Sequence, residues 1–111
     1  MPVTLISEDE RNRWTSSTND AGFVYRRPTI QYQRELSARH TKKGVTDENA
    51  VVAELLEWSI IDWFGFVNTD GSAVPFAKKY INNGTLPELF KAEFVTNALY
   101  AYDPEKDELG N

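Results

Sequence analysis

The chain has no cysteine, which excludes a disulfide framework and any thiolate zinc site and leaves side-chain packing as the source of stability. It also has no long uninterrupted apolar run. The richest stretch, Ala50 to Phe66, is broken by Glu54, Glu57 and Asp62, so no segment reads as a membrane span. The first ten residues hold three acids and no base. They contain nothing like the apolar core of about 7 to 15 residues that a secretory signal needs, and the expectation is a cytoplasmic protein.

Catalytic signatures are equally sparse. The single histidine, His40, falls at the charged end of an expected surface helix, with no acid beside it in sequence to make it a general base. No serine stands in a Gly-x-Ser-x-Gly elbow, and the six glycines are scattered singly, so there is no nucleophile turn and no phosphate-cradling loop. Asn68, Asp70 and Ser72 alternate like calcium ligands, but Gly71 comes too early and Lys79 stands where the loop would need its closing glutamate; a plain turn explains them better. Asn83-Gly84-Thr85 fits a glycosylation acceptor, yet reads as a junction between helices. Glu54 and Glu57 lie one turn apart on a polar helix face, where solvation accounts for them. The expectation is a non-enzymatic chain with no catalytic residues, metal or cofactor.

What the chain does have is enough apolar material to fold. Its 111 residues are 41% hydrophobic and 26% charged, ordinary values for one globular domain. That domain is expected over residues 1–102, followed by an acidic tail at 103–111. Charge is uneven: residues 1–25 sum to −2, residues 26–43 to +5 and residues 44–111 to −8, giving −5 in all. The basic segment, with Arg26, Arg27, Arg34, Arg39, His40, Lys42 and Lys43, is a solvated helix face, a nucleic-acid contact or one half of a charge-complementary protein contact. It has only Tyr32 for base stacking and no nucleic-acid-binding motif.

The local signals favour helices. Arg13-Trp14-Thr15-Ser16 and Phe23-Val24-Tyr25-Arg26 flank a turn-rich Thr18-Asn19-Asp20-Ala21-Gly22, which reads as a small hairpin, with Val3-Thr4-Leu5-Ile6 as a further β-prone stretch or a helical turn after Ser7. Pro28 and Thr29 open a helix from Ile30 to about Thr41, which Lys42-Lys43-Gly44 should stop. A second helix, with acids in its first turn, is expected from Asp47 to Phe64 or beyond; Val51, Leu55 and Trp58 form one apolar row and Val52, Leu56 and Trp63 the next. Asn68-Thr69-Asp70-Gly71-Ser72 turns between Phe66-Val67 and Ala73-Val74. Pro75 begins a short helix through Ile81, stopped by Asn82-Asn83-Gly84. Thr85 and Glu88 form a capping box for a last helix whose apolar row holds Leu89 or Phe90, then Phe94 and Ala98. The expected fold class is therefore mainly α: three to four helices with a small N-terminal β-hairpin or short strands.

Aromatics are crowded. Trp58, Trp63, Phe64 and Phe66 fall within nine residues, and Tyr80, Phe90, Phe94, Tyr100 and Tyr102 follow. They build a core, or some reach a protein interface, where large rings concentrate binding energy. The interface candidates are Trp58, Trp63, Phe64, Phe66, Phe90 and Phe94, with Arg34 and Arg39 from the basic segment.

The succession Phe23-Val24-Tyr25-Arg26-Arg27-Pro28-Thr29, a polar helix, an apolar helix ending in Trp58 with Ile60, Ile61 and Asp62, then Asp70-Gly71, Val74-Pro75 and Leu86-Pro87-Glu88-Leu89, resembles the tail assembly chaperones of long-tailed bacteriophages and prophages over residues 23 to about 101. The resemblance implies a non-enzymatic helical protein of the host cytoplasm that coats the tape measure protein, keeps its long helices from aggregating and helps recruit tail tube subunits. It further implies self-association and a frameshifted form with an extra C-terminal domain. The alternatives are a head–tail or tail morphogenesis component retained in the virion, and a small nucleic-acid-binding regulator.

Overall fold

The computed structural model describes Pro2, Val3 and residues 5–99; the acidic tail at 103–111 and the last three residues of the expected final helix, 100–102, lie outside those residues. The turn-rich cluster joins β1 (Asn12–Thr15) to β2 (Gly22–Tyr25) as an antiparallel hairpin. Of the β-prone stretch before it, Val3, Leu5 and Ile6 belong to no strand; Glu10 N–H donates to Ser7 O at 3.1 Å, closing a turn just after it. Helix α1 (Ile30–Arg39) starts where Pro28 and Thr29 indicate, with Thr29 extended at φ −75°, ψ 159° and its hydroxyl accepting the Tyr32 N–H at 3.1 Å.

The expected helix stop at Lys42-Lys43-Gly44 is a hairpin instead. Strands β3 (Thr41–Lys42) and β4 (Val45–Thr46) pair antiparallel, and Lys43 at φ 53° and Gly44 at φ 77° give the two left-handed residues of a tight hairpin turn. Helix α2 (Glu48–Ser59) then begins from Asp47, whose carboxylate accepts the Ala50 N–H at 3.1 Å.

The long helix expected to Phe64 ends at Ser59. Ile60 turns extended at φ −81°, ψ 121° and opens β5 (Ile60–Phe64), which pairs antiparallel with β2 to give a three-stranded sheet ordered β1-β2-β5. This overturns the mainly-α expectation. The described chain is mixed α/β, 39% helical and 20% strand, with four helices and a three-stranded sheet. The physical reason is that Ile60-Ile61-Asp62-Trp63-Phe64 is a β-branched and aromatic run, and β2 has a second edge whose backbone groups need partners.

The sheet sets the core. Trp14, Phe23 and Trp63 are register partners across the three strands, so they share one face. Over that face lie α4 (Glu88–Phe94) and the π-helical turn Val95–Leu99, which bury Phe90, Phe94, Ala98 and Leu99. Phe94 meets Phe23, Tyr25 and Trp14 at ring-centroid distances of 5.0, 5.2 and 5.4 Å, all edge-on. Short α3 (Lys79–Asn82) packs Ile81 inward. The capping box at Thr85 does not form: its hydroxyl donates to Asn83 Oδ1 at 2.5 Å, and α4 starts after Pro87 with no side-chain cap.

One ion pair ties the N-terminal segment to the body. Glu10 accepts from Arg27 Nε and Nη2, each at 3.0 Å, and from the Arg27 N–H at 2.6 Å. Partial burial alone would raise the Glu10 pKa; the Arg27 bonds outweigh it and hold the carboxyl below its usual 4.5. A depressed folded-state pKa means the stabilisation is present above the unfolded value and lost as pH falls through the folded one. Urea unfolding should therefore show a loss of stability below pH 4.5. Glu10→Gln should lower stability at pH 7 by about 1 kcal/mol, the scale of a partly exposed pair, and flatten the acid loss. An unchanged acid profile in the variant would show that this pair is not its source.

Candidate protein-binding groove

Residues 65–74, between β5 and α3, fold back on the sheet. Val67 and Ala73 form an isolated antiparallel bridge, and Val74 N–H donates to Phe66 O at 2.9 Å. This brings Val74 O to the Trp63 indole, which donates to it at 2.8 Å. Trp63 then stacks on Phe66 at 4.2 Å and on Tyr80 of α3 at 5.5 Å. With Leu86 and Phe90, these rings line a groove of about 800 Å³, closed on its other side by the β1–β2 loop at Thr18–Ala21.

Two apolar side chains on the walls have no cover: Leu89 is 86% exposed and Val67 61%. The charges among the described lining residues are Asp20 and Glu93, with no base. Glu93 is held firmly. It accepts from the Ser17 N–H at 2.8 Å and from the Ser16 hydroxyl at 2.9 and 3.1 Å, tying α4 to the β1–β2 loop. The Ser17 amide above all holds its carboxyl below the usual carboxylate range; desolvation opposes it, and the Ser16 and Ser17 hydroxyls add to the lowering. Glu93 thus carries its negative charge at the groove edge throughout the neutral range.

The expected interface residues divide. Trp63, Phe66 and Phe90 meet in the groove. Trp58 is elsewhere: it stacks on Tyr32 at 4.6 Å, and the Arg26 guanidinium lies 3.9 Å over its ring while Nε donates to the Trp58 carbonyl at 3.0 Å. Phe64 points to the opposite face of the sheet from Trp63, under Arg13 at 3.7 Å. Phe94 is wholly buried and Phe90 is 8% exposed, so Phe94 serves the core and Phe90 offers the groove only its edge. Arg34 is exposed on α1. Arg39 pairs with Glu54 of α2, which also lies 3.3 Å from His40 Nε2; the acid missing beside His40 in sequence is supplied across the α1–α2 contact. The greasy surface expected of α2 therefore belongs to the junction of β5, the 65–74 segment and α4. Asp20, Glu93, Leu86 and Leu89 were not singled out as site residues. Leu89 carries a signal as an alternative to Phe90 on the last helix, Leu86 stands with it in the Leu86-Pro87-Glu88-Leu89 segment of the resemblance, and Asp20 in the turn-rich cluster.

Neither family models nor curated proteins nor solved structures give a match to this chain. Among the described residues, no helix is long and apolar enough to cross a membrane, and no group of three or more His, Cys, Asp or Glu is placed to hold a metal ion.

Proposed function

We propose that this chain is a protein-binding module of the phage or prophage tail assembly chaperone kind, non-enzymatic and acting in the host cytoplasm, whose groove receives apolar side chains of a helical partner. The observation that carries the reading is the groove itself: an aromatic floor of Trp63, Phe66 and Tyr80 beside uncovered Leu89 and Val67. An amphipathic helix laid in such a groove buries its apolar face at both surfaces. The family resemblance names the partner as the tape measure protein, with the tail tube protein recruited afterwards. Three cations of the basic segment are already engaged, Arg26 on Trp58, Arg27 with Glu10 and Arg39 with Glu54, which disfavours a phosphate-binding face.

The test is co-production with a tape measure protein from a long-tailed phage. The chain should keep that protein in solution and co-purify with it, while being absent from finished particles. Leu89→Asp removes only an exposed side chain, so the fold should survive, and binding should weaken about tenfold or more from a charge placed against the apolar contact. A tape measure protein that stays insoluble, or a Leu89→Asp variant that binds like the parent, overturns the reading; recovery from virions favours a retained structural component.

A further inference from the structure

The rim of the groove is charged on one side. Asp20 belongs to the β1–β2 loop, and Glu93 of α4 is bound to that same loop through Ser16 and Ser17, so the two carboxylates stand on one wall. The donors to Glu93 are a backbone amide and hydroxyls, neutral groups that fix a carboxylate without cancelling its charge. Among the described residues neither acid is in an ion pair, and Lys91 of α4 is engaged with Glu88 and the Ile81 carbonyl. The position of Leu89 adds a spacing. It precedes Glu93 by four residues on α4, which makes the uncovered leucine and the carboxylate neighbours on one helix face, about 5 to 6 Å apart at Cβ. An apolar contact and an uncompensated negative charge thus follow one another at the interval of one helical turn.

We propose that the groove selects helical segments that carry a lysine or arginine one turn from an apolar side chain, the apolar group resting on Leu89 and the cation meeting Glu93 and Asp20. The inference rests on the helix-binding reading of the groove and adds the chemistry of the occupant. Charge complementarity carries it. A segment with an acid at that place would set a third carboxylate beside two that have no counter-charge, and such like-charge contacts are what reject wrong partners. The selection is by position rather than by total charge. A chain of net charge −5 attracts any cationic peptide from a distance, but only a cation three or four residues from the seated apolar group shares its face of the helix. Asp20 and Glu93 are in this sense the residues that determine specificity.

The experiment is an anisotropy titration of the intact chain with four fluorescein-labelled helical peptides of one length and one leucine stripe. The first has lysine four residues to either side of the central leucine, the second glutamate and the third glutamine at those places. The fourth has the composition of the first, with its lysines moved to two residues either side of that leucine, on the opposite face. At low salt the first should bind about tenfold more tightly than the second, each exposed pair contributing a few-fold, with the third and fourth between them. In about 0.5 M salt, where the screening length falls to roughly 4 Å, the gap should narrow. Asp20→Asn with Glu93→Gln removes both charges and keeps a carbonyl to accept the Ser17 N–H; with its fold confirmed by circular dichroism, it should bind the first and second peptides within about twofold of each other. Equal binding of those two by the parent, a displaced lysine that binds as tightly as the placed one, or a double variant that keeps the full preference overturns the proposal and leaves the helix-binding reading standing. Failure of all four peptides to bind overturns both.

Discussion

Phe94→Ala should lower the unfolding free energy by about 3 to 5 kcal/mol, the cost of emptying a fully buried phenylalanine site. Phe94 has no exposed surface and supports three rings at once, Phe23 and Trp14 of the sheet's inner face and Tyr25 at its end. Edge-on aromatic pairs add to plain area burial by about 0.5 to 1.5 kcal/mol each when measured singly, and removing the ring that three of them share leaves a gap which short strands cannot close by shifting. Small domains hold only about 5 to 15 kcal/mol in total, so the variant should be partly unfolded at 37 °C. Urea unfolding followed by tryptophan fluorescence checks this, with Phe94→Leu expected to recover part of the loss. Leu89→Ala, five residues earlier on the same helix but exposed, should change stability by less than about 0.5 kcal/mol. A Phe94→Ala variant within 1 kcal/mol of the parent would mean that α4 is not seated on the sheet as described.

That contrast also marks what the sequence could convey. On the last helix, Leu89 and Phe90 compete for one apolar row, and periodicity alone leaves both in play. The sheet decides between them, because only Phe90 faces Trp14 and Phe23, at 5.3 and 5.4 Å. The elements made by local chemistry were legible: the turn residues between β1 and β2, the Thr29 cap, the acidic start of α2. Those made by distant pairing were not. Ile60 to Phe64 carries both a helical and a strand reading, and its identity depends on β2, some 40 residues earlier in the chain. With Ile60 to Phe64 read as the end of the second helix, the three-stranded sheet reduces to its β1–β2 hairpin and the expected binding surface falls on α2. The aromatic content of the site was visible in Trp63, Phe66 and Phe90. Its acidic edge was not, since Glu93 gains its place from Ser16 and Ser17, 77 and 76 residues away.

Gly65→Ala should be the most damaging small substitution at the groove, by about 3 kcal/mol, combining a left-handed backbone cost with forced overlap. Gly65 ends β5 at φ +82°, and a Cβ there would stand 2.0 Å from the Asp20 carbonyl oxygen and 2.7 Å from Ala21 Cα. Both are main-chain atoms of the β1–β2 loop, so no side-chain rotation relieves the clash. The loop must lift, and with it go the Asp20 edge of the groove and the Ser16–Ser17 anchorage of Glu93. Gly44→Ala separates the two costs, since Gly44 has φ +77° but no atom within 4 Å of the added methyl; it should lose about 1 kcal/mol, the left-handed term alone. The difference between the two variants in denaturant unfolding measures how tightly the loop closes over Gly65. If Gly65→Ala loses no more than Gly44→Ala, the loop is free to yield, and the groove's far wall is not held fixed by the close approach of Gly65 to Asp20 and Ala21.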